Sequence, residues 1–331
     1  MIIRCPRPIV SSIQAAAKAA TTIRSNPHNR LPLRRPPPRL TMTTRTTTTD
    51  SHYEQHSKES YESAYFYSPG AYMDHLRGLV VQTLQLSENP IVPRRLLDIG
   101  GGTGNFTQLL LRANPALEAI VVDPFLVDDN NSEKDKNPKL HFVQASAEAF
   151  AEDYHHASAN DNDDTNKEDT IEWRRDYHHV LLKEVVHHLE NRVAIFQGMR
   201  DGLAKDSEAQ QQQYPHLLIM TRPQIEIDYP LWPAACHVWA ANQPSHQMLT
   251  RELYQAGFSK VQFSLESYPC QISLKQWQAM VKRRFWSTFS NFTDEELEQA
   301  CESMPLLHAD RLDEDGNLTF EDRLVFLTAW K

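Results

Sequence analysis

The chain has 331 residues, a formal net charge of −9 and 23% charged side chains, which suits one α/β domain with additions and ample core. The acidic balance argues against general nucleic-acid binding, and no apolar run reaches the length of a membrane span. The four cysteines, Cys5, Cys236, Cys270 and Cys301, are scattered without a C-x-x-C pair, which points to a reducing compartment and to neither a disulfide frame nor a zinc site.

Residues 1–49 contain no Asp or Glu and carry Arg4, Arg7, Lys18, Arg24, Arg30, Arg34, Arg35, Arg39 and Arg45 among Ser, Thr, Ala and Pro. Ile9 to Arg24 has the spacing of a basic amphipathic helix. This is the composition of an organellar transit peptide over 1–50, mitochondrial first, with a plastid as the alternative address. A tail without an address is the other reading, and translation from Met42 would leave the protein in the cytoplasm. Residues 51–92 predict an N-terminal helical cap. Tyr61, Tyr65, Phe66, Tyr67 and Tyr72 cluster around Ser68-Pro69-Gly70, Leu76, Leu79, Val80 and Leu84 recur at helical spacing, and Asn89-Pro90 closes the helix.

Arg95 to Ile99 predicts a buried strand that runs into Gly100-Gly101-Gly102-Thr103-Gly104. A helix opens at Asn105 with Phe106, Leu109 and Leu110 on one face. Glycines without Cβ let a ligand approach the backbone, and a helix start offers N–H groups. That describes the first βα turn of a nucleotide-binding α/β sheet. The dinucleotide pattern G-x-G-x-x-G fails in both frames, at Asn105 and at Thr107, and no Gly-Lys-Ser/Thr completes a P-loop. Asp98, Gly100, Gly102 and Gly104 instead form D-x-G-x-G-x-G. A carboxylate at Asp98 would repel a pyrophosphate but suits an ammonium. Leu117 to Asp123 predicts a second buried strand ending in an acid, about 20 residues beyond the turn, where an acid accepts two ribose hydroxyls.

With the glycine run and Asp123 in place, the chain resembles the class I S-adenosylmethionine-dependent methyltransferase superfamily, in the manner of a type 11- or 12-like methyltransferase domain. The resemblance covers about 93–331. It implies an α/β, Rossmann-like, doubly wound sheet of seven strands, mostly parallel with an antiparallel last strand, and helices on both faces. It implies S-adenosyl-L-methionine as cofactor, held by Asp98, Gly100, Gly102, Gly104 and Asp123. It also implies that the cap over 51–92 lies over the cofactor, the alternative being that its aromatics are core packing.

Further along, Lys139 to Ala145 predicts the third strand. Ser146 and Ala147 follow where the family brings an acid or small polar residue near the adenine, and the Ser146 hydroxyl can bond an adenine nitrogen. Residues 152–170 are too polar to order themselves and predict a disordered acidic insertion. His155 and His156 there suit only an adventitious metal, and no metal site is expected. Tyr177 to Leu189 is the fourth strand and its exit, which in the family delivers a loop to the sulfonium and brings Lys183 to the cofactor. His187 and His188 are the weak catalytic candidates, and the catalytic residue is otherwise unassigned. The order Glu-x-x-His-His excludes a zinc helix.

Residues 191–204 predict a helix and His216 to Thr221 the fifth strand, with Arg222-Pro223 at its carboxyl end, where ligands bind in such sheets. Residues 224–248 read as irregular, Leu249 to Ala256 as a helix ended by Gly257, and Lys260 to Tyr268 as the sixth strand. An insertion over about 269–320 predicts a helical lid, with capping boxes at Ser273-x-x-Gln276 and Thr293-x-x-Glu296. Arg284 falls on the face of Trp277, Met280 and Val281 and is expected to point inward. Its partner is then an anionic substrate group, or Glu226 or Asp228. Arg222 and Arg284 are thus the substrate candidates, for a small, anionic acceptor. Asp313-Glu314-Asp315-Gly316 breaks the calcium-loop frame and predicts a hairpin turn, before a last strand over Leu324 to Trp330.

The reading is of a methyltransferase acting on a small molecule. The alternatives are an assembly factor that binds the cofactor without turnover, and an enzyme modifying protein or nucleic acid. The Asn-Pro-Pro-Tyr type of motif common among enzymes of that last kind is absent, and Leu182-Lys183-Glu184-Val185 stands in its place.

Overall fold

The computed structural model describes residues 69–86, 94–126, 137–151, 176–204 and 215–331. The expected transit peptide (1–50), the aromatic run at 61–67 and the acidic insertion at 152–170 lie outside the described residues. Helix α1 (Pro69–Thr83) precedes β1 (Arg94–Ile99), α2 (Asn105–Ala113), β2 (Leu117–Val122), β3 (Leu140–Val143), β4 (His179–Lys183), α3 (Arg192–Gly202) and β5 (Leu217–Thr221). Then come α4 (Pro233–Asn242), α5 (His246–Gln255), β6 (Lys260–Ser273), α6 (Leu274–Lys282), α7 (Asp294–Leu307) and β7 (Asn317–Trp330).

The seven strands form one sheet in the order β3-β2-β1-β4-β5-β7-β6. The first five are mutually parallel, and β7 runs antiparallel to both β5 and β6. This is the doubly wound, mostly parallel sheet that the resemblance implied. The strands read as apolar runs because both faces are covered. Alternation then sorts the side chains: Leu96, Leu181 and Leu218 join the core with α1, α2 and the lid. Leu97, Ile99, Val180, Leu182 and Ile219 join the core with α3 and α5.

Helix α1 buries Tyr72, Leu76 and Val80, spaced by four, with Leu84 just beyond its end. It stops at Thr83, before Asn89-Pro90. The stretch expected to be irregular contains α4, which starts on Pro233 and buries Ala235 and Trp239. Strand β6 passes its expected end at Tyr268 and continues to Ser273, so the helical insertion spans 274–316. Thr293 and Glu296 make a reciprocal capping box. Ser273 accepts the Gln276 N–H at 3.2 Å and its hydroxyl donates to Gln276 Oε1 at 2.9 Å. The Asp313 carboxylate accepts the N–H groups of Asp315 (3.0 Å) and Asn317 (2.8 Å), which makes the expected hairpin turn.

Candidate functional site

Parallel strands β1, β2, β4 and β5 deliver their carboxyl ends to one end of the sheet, and the candidate residues other than Arg284 sit on or just after the strands that lead there. Gly100, Gly102 and Gly104 have φ of 70°, 56° and 73°, left-handed values that side chains with a Cβ rarely adopt. A Cβ on Gly101 would stand 2.4 Å from Asp98 Oδ2, so the turn lies directly on that carboxylate. At Gly102, by contrast, an added Cβ meets nothing within 4 Å. The turn is open on the side away from Asp98.

Asp98 is 2% exposed. Its Oδ2 accepts the Thr107 hydroxyl from the first turns of α2, while its Oδ1 is buried without a partner. Burial pushes its pKa up to about 6, against the Thr107 hydrogen bond and the charge of Lys183. An orphaned carboxylate oxygen of this kind is costly, and an ammonium group would satisfy it. Asp123, just past β2, accepts the N–H of Gly102 at 2.9 Å and of Phe125 at 2.9 Å. These two bonds lock its carboxylate beside the glycine turn and leave lone pairs for further donors.

The remaining expected cofactor residues differ in character. Ser146 Oγ accepts the Ala149 N–H at 3.1 Å, so the hydroxyl caps the helical turn over 147–151, and Ala147 is buried. Lys183 places its Nζ 5.4 Å from the centroid of the Phe106 ring. Asp98, Asp123 and Lys183 thus gather around the glycine turn, where Gly102 faces open space while Gly100 packs against Val185 and Gly104 against Phe142.

The exit of β4 is strained: Glu184 has φ of 57°, and its N–H bonds the Met220 carbonyl at 2.7 Å. Its carboxylate accepts Arg222 Nη2 at 3.0 Å. Burial disfavours the Glu184 charge, but Arg222 and Lys183 outweigh it and hold the carboxyl below its usual range. Arg222 is 5% exposed. Its Nη1 donates to Asp322 and to the Tyr229 hydroxyl. Tyr229 and Tyr72 in turn both donate to Asp322, which is 0% exposed. Burial, then Asp322 and Glu184 against Arg222, keep the Tyr72 hydroxyl protonated.

The two arginines expected to clamp an anion are therefore already engaged by carboxylates of the chain. Arg222 has Asp322 and Glu184. Arg284 does not lie on the α6 face at all. The helix ends at Lys282, and Arg284 follows in a left-handed conformation with φ of 52°, donating to the Phe292 carbonyl at 3.0 Å and pairing with Asp294 at 2.7 Å. Nor are Glu226 and Asp228 their partners. Asp228 holds Arg311 at 2.8 Å, and the Glu226 carbonyl accepts Arg323.

His187 and His188 form a short 3-10 turn after β4 with ring centroids 3.9 Å apart. Burial, then His188 and Arg222, lower the His187 pKa to about 3, and burial lowers that of His188. Both are neutral at physiological pH, and His187 is a weak proton acceptor.

Sequence reasoning missed Asp322 and assigned no role to Glu184. The signal for Asp322 was present. Leu318, Phe320, Asp322, Leu324 and Phe326 alternate along β7, and an acid on an apolar strand face requires a buried partner.

A family model described as a methyltransferase domain matches residues 72–303. No curated protein sequence matches the chain. Among solved structures, similar chains include a candidate methyltransferase of Bacillus halodurans C-125, at 14% identity and TM-score 0.45, covering 77% of this chain and 98% of that one. Another is phosphoethanolamine N-methyltransferase 2 of Haemonchus contortus with S-adenosyl-L-methionine, at 13% identity and TM-score 0.45, covering 86% and 58%. A candidate sarcosine dimethylglycine methyltransferase of Galdieria sulphuraria has 12% identity and TM-score 0.42, covering 79% and 86%.

Proposed function

We propose that this chain, which belongs to the methyltransferase-domain family, uses S-adenosylmethionine to methylate a small molecule. The observation that carries the cofactor reading is the buried, unpartnered Oδ1 of Asp98 beneath a glycine turn that is open at Gly102. When bound, the cofactor supplies an electrophilic methyl group on a sulfonium. Asp98 would hold its ammonium and Asp123 its ribose hydroxyls, and Gly102 would let its chain lie against the backbone.

The chain's own contribution to the reaction is positioning and exclusion of water, which together lower a barrier by about 7–11 kcal/mol. Helix α1 and the 274–316 insertion pack into one core with the sheet face, and a roof of this kind suits a small acceptor rather than a polymer. The anionic acceptor expected from Arg222 and Arg284 has no unpaired guanidinium to bind, because Asp322, Glu184 and Asp294 hold both. His187, with its pKa near 3, is too weak a base to lead a proton transfer at neutral pH. An acceptor that is already nucleophilic, such as a free amine or a thiolate, needs none.

The test is calorimetry with S-adenosylmethionine and its demethylated product, followed by turnover of methyl-labelled cofactor against a metabolite extract. Binding and a labelled small-molecule product are expected. Asp123→Ala is expected to weaken cofactor binding by about 2–4 kcal/mol, from two charge-assisted hydrogen bonds less what water restores. No heat with either ligand overturns the cofactor reading. Binding without any labelled product favours the non-catalytic factor.

A further inference from the structure

We propose that β6 is a self-complementary edge at which two copies of this chain join their sheets into one. Strand β6 is the terminal strand of the sheet and runs for 14 residues. Phe263 and Leu265 stand 46% and 48% exposed on it. A long edge with exposed apolar side chains is a template for another strand.

The backbone sets which residues face outward. The Val261 N–H turns away from β7 and donates to the Tyr254 hydroxyl at 3.3 Å. Opposite Pro269, the Glu321 N–H bonds Asp228 at 2.8 Å rather than the Pro269 carbonyl. On the far side of β7, the Ala329 carbonyl accepts His216 N–H from the β5 side. The odd-numbered residues of β6 therefore direct their N–H and C=O groups to the open edge, and Pro269, which has no N–H to offer, ends the usable stretch.

An antiparallel pairing of two such edges centred on Phe263 matches every residue from 260 to 266. Phe263 opposes its own copy and Val261 opposes Leu265, twice, as hydrogen-bonded pairs. These side chains lie on the α5 side of the sheet, where Val261 packs on the core and His246 stacks on Phe263. On the other side Gln262 opposes Ser264 and Lys260 opposes Glu266, twice. Shifting the centre by one residue, to 264, sets Lys260 against Tyr268 and Val261 against Ser267. Shifting it by two, to 265, sets Val261 against Pro269. Of these registers, only the one on Phe263 matches apolar with apolar and charge with opposite charge. The interface is isologous, as a two-fold dimer requires, and on pairing the Leu265 carbonyl of the second copy takes the Val261 N–H from Tyr254.

The test is sedimentation velocity of the full chain over a concentration series. A dimer is expected for the wild type. Lys260→Glu and Glu266→Lys each set like charges opposite each other twice and are expected to raise the dissociation constant at least about tenfold. The double variant Lys260→Glu with Glu266→Lys restores the pairing and is expected to recover the dimer. Under mild oxidation Phe263→Cys chains are expected to link to each other at position 263. A monomeric wild type overturns the proposal, as does a dimer indifferent to the single charge variants, or a double variant that fails to recover although its circular dichroism is that of the wild type.

Discussion

At the scale of single residues, Asp98 carries the clearest electrostatic signature. Its folded pKa of about 6 lies above the ordinary aspartate value of 3.8, so the folded chain holds this proton more tightly than the unfolded one. The stabilising contribution is present in full below about pH 4 and is lost as pH rises through about 6, for a total of about 3 kcal/mol. A cofactor ammonium reverses the sense, because it favours the charged carboxylate. Affinity for S-adenosylmethionine is therefore expected to rise as pH goes from about 5 to 7 and to level off above. Asp98→Asn is expected to bind weakly with no such rise. Calorimetry across this range checks both, and an identical pH profile in wild type and variant would show that Asp98 does not face the ammonium. The position of Asp98 at the end of a buried strand, beside the glycine turn, was legible because D-x-G-x-G-x-G is local. Its unpartnered Oδ1 was not, since that depends on Thr107 and on the neighbouring strands.

At the scale of elements, Arg222 joins the end of β5 to β7 through Asp322 and to the exit of β4 through Glu184, and Tyr72 ties α1 to the same carboxylate. Arg222→Leu leaves Asp322 buried without its counter-charge and is expected to cost about 3–5 kcal/mol of stability. Arg222→Leu with Asp322→Leu removes both charges and is expected to cost clearly less. Urea denaturation of the two variants checks the difference. Equal losses would mean that the pair is not a coupled unit. Asp322 stands 100 residues beyond Arg222, and nothing local in either stretch names the other. Strand β6 outran its expected end for a related reason. Pro269 interrupts the alternating pattern, but its nitrogen faces the open edge, so the ladder to β7 loses no bond there. Arg284 was misjudged because a helix boundary two residues earlier than assumed turns a face argument around.

At the scale of the whole molecule, no described helix is long and apolar enough to cross a membrane. Residues 1–50 lie outside the described residues, and we propose from their composition that they direct the chain to the mitochondrion. A full-length fluorescent fusion is expected to coincide with a mitochondrial marker, and a fusion lacking 1–50 to stay in the cytosol. A cytosolic full-length fusion, or translation that begins at Met42, would refute this.

By itself the sequence determined the first two strands, the glycine turn, the acids Asp98 and Asp123 at their carboxyl ends, and the resemblance that follows from them. These are short-range features: positive φ needs glycine, a buried strand needs an apolar run, and both are written within a few residues. Only the tertiary structure decided which carboxylates Arg222 and Arg284 meet, that β7 carries a buried acid into the site, and which edge of β6 is open. Those outcomes depend on strand pairing and burial between segments far apart in the chain, where the partner of a charge is set by topology and not by its neighbours.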